Sequence, residues 1–152
     1  MTDQVRIASE PPDQPDVLAL LAASDALMAS LYPAESNHML SPAELMGPGR
    51  TFLVARLAGD AVGCGAVVVD GREAELKRMF VPASQRGRGF GRRLLGAAED
   101  AARAAGAVVI RLETGVAQPE AIGLYRAAGY VERGPFGAYG PDPLSLFMEK
   151  PL

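Results

Sequence analysis

Apolar and polar positions along this chain recur with two periods, and the switches between them divide it into strands and helices. Val5-Arg6-Ile7-Ala8 alternates and predicts a short strand. Pro11, Pro12 and Pro15 then interrupt the chain. Val17, Leu20, Leu21, Leu27, Met28 and Leu31 follow at helical spacing and predict a helix over about 15–31 with one buried face. Tyr32-Pro33 closes it, because proline disfavours helical geometry in the residue before it. Residues 34–49 are less regular, with a short helix expected after Ser41-Pro42. Three strand-like runs come next: 51–57, 62–69 and 73–81. Gly59-Asp60 and Asp70-Gly71 mark the turns between them, which predicts an antiparallel meander. In the third run Glu73, Glu75, Lys77 and Met79 share one face by strand alternation. Gly63 and Gly65 share a face of the middle run, where something is expected to pack or bind close to the backbone.

Leu94, Ala98, Ala101 and Ala105 mark an amphipathic helix with Arg93, Asp100 and Arg103 on its other face, stopped by Gly106. The β-branched run 108–114 is a strand. Pro119 opens a second helix, with Ala121, Leu124, Tyr125 and Ala128 on one face and Gly129 at its end. Val131 and then residues 144–150 supply two last strands. The order predicts one α/β domain over residues 1–152, a mixed sheet with helices on both faces.

Composition narrows the function. The chain has 152 residues, 49% apolar and 22% charged, with a formal net charge of −3. Bulk charge therefore gives no sign of a nucleic-acid partner. Cys64 and His38 are the single cysteine and histidine. No internal disulfide can form, and a zinc site or a histidine triad has too few residues to draw on. Cys64 is expected to be a small buried residue. Residues 1–16 carry acids and prolines rather than a signal-peptide core, and no run is apolar enough to span a bilayer. A cytoplasmic protein with no membrane contact is expected.

One stretch stands apart from this acidic average. Arg86-Gly87-Arg88-Gly89-Phe90-Gly91-Arg92-Arg93 lies between a strand and an alanine-rich helix. Alternating glycines let a backbone come close to a ligand and turn its N–H groups inward. The helix after them begins with unpartnered N–H groups and a partial positive charge. Guanidinium groups add the geometry that grips phosphate. These features together describe a polyphosphate cradle, against the plainer reading of a solvated basic turn. A P-loop would need Gly-Lys-Ser/Thr here and a dinucleotide fingerprint a different glycine spacing, so neither fits.

The pattern that does fit is Arg/Gln-x-x-Gly-x-Gly/Ala, matched by Arg86 through Gly91. With it come Leu76-Lys77-Arg78-Met79-Phe80-Val81-Pro82 just upstream, and Gln118-Pro119-Glu120-Ala121-Ile122-Gly123-Leu124-Tyr125-Arg126-Ala127-Ala128-Gly129-Tyr130 near the end. In these motifs and in element order over nearly its whole length, the chain resembles the GNAT superfamily of N-acetyltransferases. Its loop at 32–38, Leu112-Glu113-Thr114-Gly115 and its C-terminal stretch resemble a subgroup of small bacterial members.

The resemblance implies a GNAT fold, a twisted mostly antiparallel sheet with helices on both faces, and acetyl-CoA as the acyl donor. Backbone groups of Met79, Phe80 and Val81 would pair with the pantetheine arm. The loop N–H groups of Arg86, Gly87, Arg88, Gly89, Phe90 and Gly91, with Arg92, would hold the pyrophosphate. Gln118 stands where many members have asparagine and would reach the cofactor with one methylene more. Tyr125 would protonate the departing thiolate, and Glu75 is the implied base, with Glu113 a second candidate. The polar loop holding Tyr32, Glu35, Asn37 and His38, together with Glu113 and Tyr139, is the expected acceptor region. The acceptor is an amine on a small molecule or a protein, and a homodimer is the default assembly. A non-catalytic acyl-CoA sensor and a ligand-free partner-binding domain are the rival readings.

Overall fold

The computed structural model describes residues 4–37 and 39–152. The elements run β1 (Val5–Ser9), α1 (Pro15–Leu31), β2 (Arg50–Leu57), β3 (Asp60–Asp70), β4 (Glu73–Phe80), α2 (Phe90–Ala104), β5 (Val109–Gly115), α3 (Pro119–Ala127), β6 (Val131–Arg133) and β7 (Ser145–Pro151). The helix expected after Ser41-Pro42 is a single 3-10 turn, Ala43–Leu45. Pro15 and Pro119 both stand in the first turn of their helices, where a missing N–H costs no internal bond.

The strands form one seven-stranded sheet in the order β1-β2-β3-β4-β5-β7-β6. Every neighbouring pair is antiparallel except β4 and β5. Helix α1 covers one face, burying Val17, Leu20 and Leu21 against Phe52, Val54, Cys64 and Phe80. Helices α2 and α3 cover the other. There Leu94, Leu95, Ala98 and Tyr125 meet Val67, Leu76, Ile110 and Leu112. The buried stripe of α2 runs through Leu94, Leu95, Ala98 and Ala102, and Ala105 lies outside it, exposed. Glu99 on that stripe is also buried. It accepts hydrogen bonds from the Tyr130 hydroxyl at 2.9 Å and Lys150 Nζ at 3.0 Å, which satisfies a carboxylate that burial would otherwise penalise.

Strand β4 departs from a regular strand in two ways. First, it carries an extra residue. Ala66 pairs with Lys77 but Cys64 pairs with Phe80, so two steps along β3 match three along β4. Arg78 takes the left-handed conformation, with φ of 55°, the geometry of a β-bulge. The alternation expected through Met79 therefore breaks. Glu75 and Lys77 keep to one face, whereas Met79 joins Leu76 in the core beneath α2 and Phe80 turns to the core beneath α1. Second, β4 pairs with β5 only from Glu73/Val109 to Glu75/Arg111. Beyond that register the strands diverge. Residues 76–80, about 16 Å of strand at ~3.3 Å per residue, keep β3 on one side and have no strand partner on the other.

Gly63 and Gly65 have a structural explanation within the chain. A Cβ at Gly63 would lie 2.9 Å from Leu94 Cδ1, 3.2 Å from Val81 Cγ2 and 3.3 Å from the Phe80 carbonyl oxygen. One at Gly65 would lie 3.0 Å from Met79 Sδ. The glycines let α2 and the end of β4 press onto β3. Gly63→Ala is expected to destabilise the fold by about 1–2 kcal/mol, the overpacking strain outweighing the gain in strand rigidity. Urea unfolding of the two proteins measures it.

Candidate active site

The diverging ends of β4 and β5 open a cleft of about 430 Å³. Its floor is the end of β4 with Val81. One wall is the glycine loop and the start of α2, and the other is Gln118 with α3. Leu27, Met28 and Leu31 of α1 close the remaining side. The apolar stripe of α1 thus has two uses. Its first half enters the core, and its second half lines the cleft.

The loop is built for close approach. Gly87 and Gly89 have φ of 79° and 82°, the left-handed region where a Cβ is strained. Gly89 caps α2, and the first backbone bond of that helix runs from the Arg93 N–H to the Gly89 carbonyl at 3.2 Å. The amides before Arg93 have no acceptor within the helix. A Cβ on Gly91 would lie 3.2 Å from Leu124 of α3, so the third glycine sets how near the two helices start. Arg86 braces the loop, its Nε donating to the Val81 carbonyl at 3.0 Å and its guanidinium 3.8 Å from Glu120.

Among the residues expected to contact the cofactor, Met79, Phe80, Val81, Arg86, Gly87, Gly89, Phe90, Gly91, Arg92, Gln118 and Tyr125 all line this cleft. Arg88 does not. Its guanidinium donates to Gln85 Oε1 at 2.9 Å and lies 5.3 Å from the centre of the Phe90 ring.

A smaller cavity of about 110 Å³ adjoins the cleft. Met28, Met79, Gln118, Ala121 and Tyr125 line both. Tyr125 is buried, its ring 5.8 Å from that of Tyr130, and burial raises its phenol above the ordinary value. The proton on this hydroxyl is therefore held more tightly than on an exposed phenol, and the side chain is neutral at neutral pH.

Besides residues of α1 and α3, the smaller cavity gathers side chains from four further segments. Tyr32, Ser36 and Asn37 come from the chain after α1, Lys77 from β4, Glu113 and Thr114 from β5, and Leu144 from the stretch before β7. Tyr32 ties these parts together. Its hydroxyl accepts from the Ala117 N–H at 3.1 Å and donates to Gln118 Oε1 at 3.3 Å, and Gln118 Oε1 also accepts from the Gly115 N–H at 3.3 Å. A Cβ on Gly115 would overlap the Tyr32 hydroxyl. Because Gly115 N–H can only donate, the amide oxygen of Gln118 must face it, leaving its NH2 group to point elsewhere.

The remaining expectations divide. Tyr32, Asn37 and Glu113 line the smaller cavity, whereas Glu35 is exposed and lines neither. His38 lies outside the described residues. Glu75, the expected base, lines neither cavity, because it sits where β4 is still paired to β5. Its carboxylate accepts a short hydrogen bond from the Tyr139 hydroxyl and pairs with Lys77 Nζ at 3.3 Å, and Lys77 Nζ donates to Tyr139 Oη at 2.6 Å. Tyr139 in turn packs on Phe136 and Phe147, behind the cavity rather than in it. Lys77 is a cavity residue that the sequence motifs do not single out, although strand alternation puts it on the face of Glu75. Cys64 is fully buried and its thiol is pushed up to about 12 by burial, which removes it from nucleophilic chemistry. Among the described residues no cluster of His, Cys, Asp and Glu is placed to hold a metal ion, and no helix is long and apolar enough to cross a membrane.

A strand edge left open by its neighbour, a glycine loop at a helix start and a buried phenol where two cavities meet define an acyl-CoA-dependent transferase. The sequence profile of the Acetyltransferase (GNAT) family matches residues 20–130. A relative from Azospirillum brasilense named IAA acetyltransferase is 55% identical over 97% of this chain and 98% of its own length. The chain belongs to the GNAT acetyltransferase family and is an acetyl-CoA-dependent N-acyltransferase. Among solved structures, a Klebsiella pneumoniae protein assigned to the acyl-CoA N-acyltransferases is 38% identical, with a TM-score of 0.84 over 99% of each chain. PaiA N-acetyltransferase from Thermoplasma acidophilum, solved in complex with coenzyme A, shares the fold at 18% identity, with a TM-score of 0.78 over 98% of this chain and 99% of its own.

All four tyrosines, Tyr32, Tyr125, Tyr130 and Tyr139, are raised above the ordinary phenol value, burial being the largest cause for each. The folded state thus keeps protons that the unfolded chain releases from about pH 10. Their contribution to stability is complete below that pH and is lost as pH rises towards the folded values. Phenolate absorbance is expected to appear only together with alkaline unfolding. A tyrosine titrating near pH 10 in the folded protein would contradict the packing.

Proposed function

We propose that the chain transfers the acetyl group of acetyl-CoA directly to a primary amine held in the smaller cavity. The observation that carries this reading is the shared lining of the two cavities at Tyr125. When bound, acetyl-CoA supplies a thioester whose acetyl group passes to the amine as coenzyme A leaves. The fit is supported by the open edge of β4, which offers strand amides and carbonyls to an amide-bearing arm. It is also supported by the left-handed glycines, which bring loop amides to a diphosphate. Arg92 and Arg86 add charge beside them. The Arg88 guanidinium is turned onto Gln85 and Phe90, and the residue's backbone N–H remains one of the loop amides offered to the diphosphate.

The chain's own groups then manage protons and position. The NH2 group of Gln118, oriented by Tyr32 and the Gly115 amide, donates to the arm where the cavities meet. Backbone N–H groups near Met79 polarise the thioester carbonyl. Tyr125 gives its hydroxyl proton to the departing sulfur. Glu113, which lines the acceptor cavity and accepts from Ser145 Oγ at 2.7 Å, takes the proton from the amine directly or through water. Glu75 instead holds Lys77 through the Tyr139 network. The name of the Azospirillum relative is compatible with acetyl transfer.

Acetyl-CoA at about 100 times its dissociation constant is expected to stabilise the protein by about 2.7 kcal/mol, a rise in Tm of about 5–10 °C. Tyr125→Phe is expected to lower kcat about 10²-fold with calorimetric affinity for acetyl-CoA unchanged. Full turnover in that variant would remove Tyr125 from the chemistry.

A further inference from the structure

The smaller cavity restricts what its occupant can be. Its volume of about 110 Å³ is about a quarter of the cleft's 430 Å³, which suits a small molecule. The polar lining restricts it further. Glu75 and Arg111 are register partners in the parallel β4–β5 pair, so their side chains share a face. Two residues on, before the bulge at Arg78, come Lys77 and Glu113 on that same face. They would stand opposite each other had pairing continued. The strands have parted by then, and Lys77 and Glu113 flank the gap, both lining the cavity.

Both groups have protein partners. Lys77 pairs with Glu75 at 3.3 Å and is steered by Tyr139 at 2.6 Å, whereas Glu113 is held from β7 by Ser145 at 2.7 Å. Arg78, also lining the cavity, has a buried Nε with no partner among the described residues, its other nitrogens bonding Asp25 at 2.7 Å and the Leu21 carbonyl at 3.2 Å. The cavity is thus lined by Lys77 and Arg78 from β4, each paired with an acid, and by Glu113 from β5, with Tyr125 where it meets the cleft.

We propose that the acceptor is a small amino acid or a similar amine carrying a carboxylate a few bonds from its nitrogen. The carboxylate lies against Lys77, and the amine lies between Glu113 and the point where the two cavities meet. This assignment rests on direct acetyl transfer to an amine and adds the acceptor's class.

The test is thiol release from acetyl-CoA with matched acceptors: L-phenylalanine against phenethylamine, β-alanine against ethylamine, and γ-aminobutyrate against propylamine. Binding of acetyl-CoA is measured first by calorimetry. A charge-assisted hydrogen bond in a half-buried site favours the acid of the best pair by about ten- to hundredfold in kcat/KM. Lys77→Met brings that ratio towards one and Lys77→Arg restores part of it, which separates recognition of the carboxylate from differences in amine basicity. The wild-type pairs decide alone should Lys77→Met fail to fold. Equal use of acids and plain amines, or a preference that survives Lys77→Met, overturns the assignment. Acetyl-CoA binding without turnover of any carboxylate-bearing amine overturns the acceptor class alone. Absence of acetyl-CoA binding overturns the acetyl-transfer reading and this one with it.

Discussion

The site depends on β4 parting from β5 after their third common pair. A parallel pair of strands that stayed in register would present a closed sheet and no amides to a ligand. Arg78, three residues beyond the last common pair, takes a left-handed conformation that costs an ordinary residue about 1–2 kcal/mol and adds one residue to the freed stretch of β4. Its guanidinium is bound to Asp25 and the Leu21 carbonyl of α1, so the strain is held in place by the helix covering that face. Strain kept at a site by surrounding contacts is a recurring way of pre-forming it. The same bulge turns Met79 towards Gly65 and sends Phe80 into the opposite core. The parting of the strands leaves the edge open, and the insertion beyond it sets which side chains floor the cleft.

Around that opening the chain spends its packing on holding separated segments together. Helix α1 ends at the cleft, and Tyr32, just beyond it, reaches the β5–α3 turn, where only glycine at position 115 leaves room for its hydroxyl. That contact joins residues 85 apart in sequence and fixes the amide of Gln118 at the meeting point of the two cavities. On the far face Glu99, Tyr130 and Lys150 bind α2, the end of α3 and β7 to one another. Neither arrangement touches the open edge of β4, but each limits how far the walls beside it can move.

Much of this is legible in the sequence because it is local. The period of apolar residues locates the strands and the three helices, and Pro33, Gly106 and Gly129 mark where the helices stop. The alternating glycines of 87–91 mark the loop before α2, two of them taking the left-handed conformation and the third letting α3 come close. The bulge leaves no such mark. Arg78 is not a glycine, and unbroken alternation assigns Met79 to the wrong face. The expectation that puts Glu75 in the site meets a related limit, since Glu75 lines neither cavity. It equates position along a strand with position in the site, and where β4 parts from β5 cannot be read from either strand by itself.

The two halves of the site differ in how their chemistry is written. The donor side is built from backbone: strand amides, loop amides and a helix start, whose requirements reduce to a few glycines at fixed spacing. The acceptor side is built from side chains of the segment after α1, β4, β5 and the stretch before β7, brought together only by folding. Substitutions there change charge and shape without disturbing the phosphate loop or the strand edge. One scaffold can therefore keep its acyl donor while its acceptor changes. In this chain Lys77 and Glu113, which a continuous strand pair would have set side by side, both line the smaller cavity where β4 has parted from β5.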